Sequence, residues 1–319
     1  MKTTRRAFLG QTLAGIGGLF LGACAHNNTC PSSNRRAIIL VHGAWHGAWC
    51  YSSIIPLLAA KGISGFALDL PGHGLLARFP QVYLQRPSDY SQFREAFSKE
   101  ASPLADITLA HYVESITAAI DHLLTAGYGP LTLLGHSMGG IPVTAAAEQN
   151  ASKLQKLIYL AAYMPVVGKI ANHYAGLDTE SLVAKIFEMS GTDPSVLQVA
   201  RIDPRSPDRD FVKLLKDAFF GDVPDAQAEA AINLLTPDDP SSPFRMLTGA
   251  TRERWGRIPR SYIRCLQDRA LTPKIQDLFI KEADGFTSQA TEVRSLNTSH
   301  SPFLSRPQEL ADLIATLAA

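Results

Sequence analysis

Short apolar runs alternate with longer amphipathic segments along most of this 319-residue chain. The runs are rich in aliphatic and β-branched residues and predict strands, whereas apolar residues three and four positions apart predict helices. The predicted strands are residues 36–41, 63–68, 130–134, 156–161, 261–266 and 291–296. The predicted helices are residues 50–61, 109–126, 137–149, 272–283 and 307–318. Strands that alternate with helices are typical of an α/β fold with a doubly wound, mostly parallel sheet.

Two segments interrupt this alternation. Residues 166–258 are rich in Pro and Asp and contain short helical patterns, such as Asp208–Phe220 and Asp225–Leu235. A helical segment between two sheet strands predicts a cap that shapes a pocket and limits water; the alternative is an excursion that packs elsewhere. Residues 75–107 form an insertion whose aromatic side chains would either line the pocket or anchor the insertion.

Composition supports a single folded domain over residues 31–319. Hydrophobic residues make up 46% of the chain, which is enough for a full core at this length. The formal net charge of +1 gives no reason to propose nucleic acid or an anionic membrane as a partner.

The first 30 residues have the features of an export signal with a tether. Arg5 and Arg6 precede a mildly apolar, glycine-rich run that is too short for a lasting transmembrane helix. This pattern is similar to bacterial twin-arginine signals and predicts a periplasmic protein. Leu21-Gly-Ala-Cys24 resembles a lipobox, which would place a lipid anchor on Cys24; the alternative is cleavage after Ala25, without a lipid.

Residues 135–140, Gly-His-Ser-Met-Gly-Gly, directly follow a predicted strand. The pattern Gly-x-Ser-x-Gly between a strand and a helix is typical of a nucleophile elbow, a strained turn that needs small residues on both sides. The following helix directs its amide groups to the same place and stabilises negative charge there. Ser137 is therefore the candidate nucleophile, and the alternative is a glycine-rich turn that holds a serine by chance.

An activated serine needs a general base, and the base needs a carboxylate to orient it. Enzymes with this elbow have these groups in the order Ser, Asp or Glu, His. His173 and His300 lie downstream of Ser137, and His173 is in a segment without strand character. His300 lies between the last predicted strand and the last predicted helix, which favours it as the base.

The candidate acid is Asp268, in the loop that leaves predicted strand 261–266. Asp277 and Asp284 belong to the next amphipathic helix or its end and are interpreted as solvated. The loop after the preceding strand, residues 161–168, contains no carboxylate. The sequence order therefore favours Asp268.

Two backbone amides are needed for an oxyanion hole, one of them from the residue after the nucleophile. That residue is Met138. The second amide is expected in the loop after strand 36–41, where Gly43 lets the backbone turn and Ala44 is the predicted donor. The predicted substrate-binding residues are Gly43, Trp45 and His136.

The sequence evidence for a metal site or a disulfide bond is weaker than that for the nucleophile elbow. His42 and His46 stand four residues apart on a loop without a nearby third ligand, so we predict structural hydrogen bonds, no metal and no organic cofactor. Cys50 and Cys265 fall beside sheet elements and are predicted to be small buried hydrophobic residues, although pairing is possible in an oxidising periplasm.

With these motifs, the chain resembles the α/β-hydrolase branch that contains plant methylesterases, hydroxynitrile lyases and related bacterial carboxylesterases. The resemblance covers roughly residues 36–319, and its insertion and cap are longer than those of the plant proteins. The shared stretches are His42–Cys50, Ala67–Gly74, Gly135–Gly140, Ala161–Pro165 and Cys265–Asp268. It implies a triad of Ser137, His300 and Asp268, with Ala44 and Met138 as oxyanion donors.

Two positions separate esterase from lyase within this branch. The lyases have a threonine and a lysine where this chain has Gly43 and Ser301, so the chain resembles the esterases. The resemblance implies a serine carboxylic-ester hydrolase that acts on a small ester or lactone. The alternatives are a hydroxynitrile lyase-type enzyme and a non-catalytic ligand-binding protein, a class that commonly lacks a triad residue.

Overall fold

The computed structural model describes residues 35–166 and 168–319. The predicted export signal, with Cys24, lies outside the described residues. Within the described part of the chain, no helix combines the length and apolar character needed to cross a membrane.

The core of the fold is one parallel sheet of six strands, in the order β2-β1-β3-β4-β7-β8. Strands β5 and β6 pair with each other in a separate antiparallel ribbon. The strands are β1 (Arg35–Val41), β2 (Ser64–Leu68), β3 (Tyr128–His136), β4 (Leu154–Leu160), β5 (Val199–Arg201), β6 (Asp238–Pro240), β7 (Arg260–Cys265) and β8 (Glu292–Leu296).

Helices cover both faces of the sheet and build the cap. Those before β5 are α1 (Ile54–Ala59), α2 (Gln81–Gln85), α3 (Tyr90–Lys99), α4 (Leu109–Thr125), α5 (Gly140–Gln149), α6 (Ala171–Leu177), α7 (Leu182–Ser190) and α8 (Pro194–Leu197). Those after it are α9 (Arg209–Phe219), α10 (Asp225–Asn233), α11 (Ser242–Arg245), α12 (Pro273–Phe286), α13 (Pro302–Ser305) and α14 (Pro307–Leu317).

The predicted α/β fold with a parallel sheet is confirmed, because each of the six predicted strands overlaps a strand of the sheet. The ribbon β5–β6 was not predicted. The helix predicted at 50–61 was too long, because Ala48–Tyr51 form a 3-10 turn and α1 starts at Ile54. The helix predicted from Ser137 likewise begins with a 3-10 turn, Ser137–Gly139.

Alternate side chains of the central strands enter two separate cores, because successive residues of a strand point to opposite faces. Ile39 and Leu133 pack in the larger core with α4 and α5. Ile38 and Leu134 pack in the smaller core with α1 and α14. Burial on both faces explains why these strands are nearly continuous apolar runs.

The order of the strands fixes where a site can form. The chain leaves β1 for β2 on one side and later returns to β3 on the other side of β1. The ends of β1 and β3 are therefore neighbours, with Val41 opposite Gly135. In open parallel sheets, the loops that diverge at such a point leave a crevice in which ligands bind.

The insertion at 75–107 has its own small aromatic core, formed by Tyr83, Phe93 and Phe97, with further aromatic residues packed against it. These aromatic side chains anchor the insertion. A buried ion pair lies within the ribbon, with Arg201 Nε 2.6 Å from Asp238 Oδ1. The Ser102 hydroxyl joins the insertion to this pair by donating to Asp238 Oδ2 at 2.6 Å.

The start of α5 has no room for a side chain at Gly140, because a Cβ there would overlap the Tyr163 carbonyl oxygen and lie 3.0 Å from Ala162 Cβ. We expect Gly140→Ala to lower the free energy of unfolding by about 1–3 kcal/mol or more, through overpacking. Gly176→Ala is the matched control, because Gly176 lies in α6 with open space around it. That change should be neutral or stabilising by up to ~1 kcal/mol. Urea unfolding measures both variants, and equal effects would contradict the packing argument.

Candidate active site

The turn after β3 holds Ser137 in a strained backbone conformation. Its φ is +53°, which is in the left-handed region that side chains other than glycine rarely adopt. A Cβ on Gly135 would lie 2.8 Å from the Gly139 carbonyl oxygen, so a larger residue would not allow this turn to close. The half-buried Ser137 side chain projects into a cavity above the sheet.

The loop after β1 packs directly against this turn. A Cβ on Gly139 would overlap the His42 carbonyl oxygen, and a Cβ on Gly43 would lie 2.8 Å from Ser137 Cβ. Glycine at both positions therefore lets the β1 loop and the elbow approach at backbone distance. Ala44, in the β1 loop, lines the same cavity as Ser137.

Asp268 and His300 form a buried pair, with 2.6 Å between Asp268 Oδ2 and His300 Nδ1. Asp268 Oδ1 accepts hydrogen bonds from the amides of Ala270 (2.8 Å) and Leu271 (2.9 Å), and Gln276 Nε2 donates to Oδ2 at 3.3 Å. These hydrogen bonds hold the carboxylate in one orientation. The pair thus fixes the His300 ring with Nε2 left for another partner.

Ser137 and His300 both line the cavity. The structure shows no hydrogen bond between the Ser137 hydroxyl and another described residue. Such catalytic hydrogen bonds are often long in the free enzyme and shorten when substrate binds. The structure thus places Ser137 and His300 on the wall of one cavity, with Asp268 in contact with His300 Nδ1.

His136 supports His300 from below. Its Nε2 lies 2.9 Å from the His300 carbonyl oxygen, and the two ring centroids are 4.6 Å apart. Burial, together with the nearby His300, holds the pKa of His136 well below its usual value, so its ring is neutral. In this state Nε2–H donates to the carbonyl oxygen and fixes the His300 backbone.

Two neutral histidines fix the β1 loop. His42 Nδ1–H donates to the Gly43 carbonyl oxygen at 2.8 Å, and its Nε2 accepts from the Leu70 amide at 3.1 Å. His46 Nδ1–H donates to the Ala44 carbonyl oxygen at 2.8 Å. Burial lowers the pKa of His46 to about 3 and that of His42 well below its usual value. The amide of Ala44 donates to no described residue, so it is free for a substrate oxygen.

The cap holds Trp45, the residue after Ala44, at φ +60°. The Trp45 amide donates to Asp239 Oδ1 at 3.3 Å, and its indole Nε1–H donates to the Ala200 carbonyl oxygen at 2.9 Å. The Thr236 amide donates to the Trp45 carbonyl oxygen at 2.8 Å. These cap residues were not predicted from the sequence, because no motif connects them with Trp45, which lies 155 to 194 residues earlier in the chain.

The cavity has a volume of about 260 Å³. Apolar cap side chains form most of its wall, among them Val183, Phe187, Phe219 and Phe244. Of the three predicted substrate-binding residues, Trp45 lines the cavity. Gly43 and His136 do not line it, because they pack behind Ser137 and beneath His300.

The other candidate residues have separate partners. Asp277 pairs with Arg264, and Asp284 Oδ1 accepts from the Thr291 amide at 2.8 Å. Cys50 and Cys265 are both buried and unpaired in the described chain. Three or more metal-ligating side chains do not cluster anywhere in residues 35–166 and 168–319.

Comparisons with known proteins identify the family of this chain. A family model described as "Alpha/beta hydrolase family" matches residues 38–313. The chain belongs to the α/β-hydrolase family. It is 30% identical to a pyrethroid hydrolase of Sphingobium wenxiniae over 287 residues, which is 88% of this chain and 87% of that protein. It is 27% identical to methylesterase 9 of Arabidopsis thaliana, over 88% of this chain and 97% of that protein.

Solved structures also show similarity to esterases of this family. The chain is similar to a pyrethroid hydrolase from Sphingobium faniae, with a TM-score of 0.64 and 28% identity, over 89% of this chain and 97% of that one. The predicted resemblance to methylesterase-like α/β-hydrolases is thus confirmed. The chain is a hydrolase of the serine esterase type, and the esterase relatives support carboxylesterase activity.

The neutral, buried histidines predict a loss of stability in acid. A histidine in the unfolded chain has a pKa near 6.5, whereas burial lowers that of folded His46 to about 3. Between these values the unfolded chain binds a proton that the folded chain does not, so stability is present above about pH 6.5 and falls towards pH 3. We expect His46→Gln to reduce this slope by about 1.4 kcal/mol per pH unit, the value for one proton.

Urea unfolding at pH 6.5, 5.5 and 4.5 measures the slope. His122→Gln is the matched control, because His122 is exposed on α4, and it should leave the slope as it is. Identical slopes for wild type and His46→Gln would show that His46 takes up its proton in the folded state.

Proposed function

We propose that this protein is a carboxylesterase that uses Ser137, His300 and Asp268 as a catalytic triad on a small ester or lactone. The observation that carries the proposal is the 2.6 Å contact between His300 Nδ1 and Asp268 Oδ2, at a cavity that Ser137 also lines. An elbow serine, a histidine and a buried carboxylate in this arrangement are the parts that acyl transfer needs.

In the proposed reaction, His300 Nε2 takes the proton of the Ser137 hydroxyl while the serine oxygen attacks the ester carbonyl carbon. The amides of Ala44 and Met138 donate to the oxyanion that forms. The alcohol leaves with the proton from His300, and a water molecule, activated by the same ring, hydrolyses the acyl-enzyme. Asp268 stabilises the charged ring in both steps.

The proposed substrate is a small ester with an apolar body. A cavity of about 260 Å³ with aromatic and aliphatic walls suits such a body. The names of the relatives, a pyrethroid hydrolase and methylesterases, agree with an ester substrate.

The lyase alternative has less support. A threonine at position 43 would place its Cβ 2.8 Å from Ser137 Cβ, so the backbone here would need to shift before a lyase-like side chain fits. No lysine lines the described cavity, and Arg245, which does line it, donates to Gln198 Oε1. A non-catalytic role has less support too, since all three triad residues are present.

We expect Ser137→Ala to lower kcat on p-nitrophenyl acetate by on the order of 10⁴-fold or more, because the acyl-enzyme cannot form. A fluorophosphonate should modify wild type at Ser137 and leave this variant unmodified. Peptide mass spectrometry locates the adduct, and full activity of the alanine variant would end the proposal.

Asp268→Asn should lower kcat by roughly 10²–10⁴-fold, since an amide cannot orient and stabilise the charged histidine ring in the same way. Asp277→Asn is the matched control: it removes one carboxylate charge from the exposed pair with Arg264, away from His300. Similar losses in both variants would show that the acid is misassigned.

We also propose export by the twin-arginine route with a lipid on Cys24. The support is the sequence pattern of Arg5-Arg6 followed by Leu21-Gly-Ala-Cys24. Replacing both arginines by lysine should retain the precursor in the cytoplasm. Mass spectrometry of the mature N-terminus should find an acylated Cys24, because two acyl chains bind a membrane firmly. A chain that begins at His26 without lipid would refute the anchor.

A further inference from the structure

One corner of the active-site cavity is polar, and the proposed reaction does not use it. This polar corner consists of Asp239 and Ser241, at the end of the ribbon β5–β6. Both residues line the same cavity as Ser137 and His300. Asp239 is fully buried, and Ser241 is 8% exposed.

The two oxygens of Asp239 have different surroundings. Oδ1 lies 2.7 Å from His73 Nε2 and accepts from the Trp45 amide at 3.3 Å. Oδ2 is buried and has no hydrogen-bond partner among the described residues, and the same holds for Ser241 Oγ. Buried polar atoms in folded proteins are nearly always paired, because an unpaired one loses its contact with water without compensation. Two unpaired oxygens in one corner therefore point to a group that the ligand supplies.

The chemistry of these oxygens defines that group. A carboxylate oxygen only accepts hydrogen bonds, and a serine hydroxyl can accept as well as donate. His46 Nε2, on the same cavity, is also unpaired in the described chain and is an acceptor, because the proton of this neutral ring is on Nδ1. A donor is therefore the one kind of partner that suits all three atoms.

Two other polar side chains at the cavity have hydrogen-bond partners. The Ser195 hydroxyl donates to Asp193 Oδ1 at 2.7 Å, and Arg245 donates to Gln198 Oε1 at 2.5 Å. Among the described residues of the cavity wall, the buried side-chain oxygens without a hydrogen-bond partner are those of Asp239 and Ser241.

We propose that Asp239 and Ser241 form a specificity site that binds a hydroxyl group on the body of the substrate. The natural ester would then carry a hydrogen-bond donor at the end of an otherwise apolar acyl chain. This inference rests on the proposed esterase function. Because a hydrogen bond to a charged group contributes more than one between neutral groups, the hydroxyl should raise kcat/KM by about 10- to 100-fold.

The test uses three matched series of methyl esters with acyl chains of four to eight carbons: ω-hydroxy, ω-methoxy and unsubstituted. A methoxy group accepts but cannot donate, so it distinguishes a donor from general polarity. At the chain length that reaches the corner, wild type should prefer the hydroxy ester over both others. The measured quantity is the hydroxy-to-methoxy ratio of kcat/KM.

Two variants change the corner in different ways. Ser241→Ala removes an unpaired hydroxyl and should lower the ratio several-fold. In Asp239→Asn, His73 and the Trp45 amide still need an acceptor at Oδ1, so the amide nitrogen replaces Oδ2. A donor then stands where an acceptor was, and the ratio should fall below one. If Asp239→Asn does not fold, the hydroxy-to-methoxy ratio of Ser241→Ala alone tests the proposal.

Ser195→Ala is the matched control, because it removes a serine hydroxyl from the same cavity that is already paired, and it should leave the ratio unchanged. A wild-type ratio near one at every length, or a ratio that neither corner variant alters, would overturn the specificity site. Hydrolysis of p-nitrophenyl acetate, and its loss in Ser137→Ala, reports on the esterase proposal separately. An enzyme that hydrolyses none of these esters would overturn both proposals.

Discussion

The site depends on one close approach between two backbones, the loop after β1 and the turn after β3. Any side chain at Gly139 would overlap the His42 carbonyl oxygen, and a Cβ at Gly43 would meet Ser137. Parallel pairing of β1 with β3 brings the two segments together, and glycine lets them touch. The position of Ser137, its strained φ of +53° and the neighbouring amide of Ala44 all follow from this contact.

A second strained residue shows how the cap takes part. Trp45 has φ +60°, and its amide, its indole and its carbonyl oxygen all bond to cap residues. Strain of this kind persists where surrounding contacts determine the conformation. The cap therefore does more than cover the cavity: through Trp45 it fixes the direction of the loop that carries Ala44, and through Asp239 it adds a polar wall.

Local and periodic features could be predicted from the sequence. Apolar runs predicted the six sheet strands, and Gly-x-Ser-x-Gly predicted the elbow, because each of these patterns is formed by residues close together in the sequence. The ribbon β5–β6 was missed because each of its strands has three residues, which are too few to show the alternation of apolar and polar residues typical of a strand. The contact between Asp239 and His73 was missed because the two residues are 166 positions apart and share no motif. His136 was predicted to bind substrate because it directly precedes Ser137. It is the last residue of β3, and its side chain is instead buried against His300.

The histidines around the site also define its electrostatics. Burial keeps the rings of His42, His46 and His136 neutral, since each has a pKa well below the usual value. A positive ring beside His300 would oppose the charge that His300 gains in the proposed proton transfer, and in a buried site such repulsion is weakly screened. With His46 and His136 neutral, a charge on His300 in the proposed reaction would meet the carboxylate of Asp268 at 2.6 Å without a competing cation on these two rings. The desolvation that destabilises the fold in acid through these histidines would thus favour the proposed proton transfer at neutral pH.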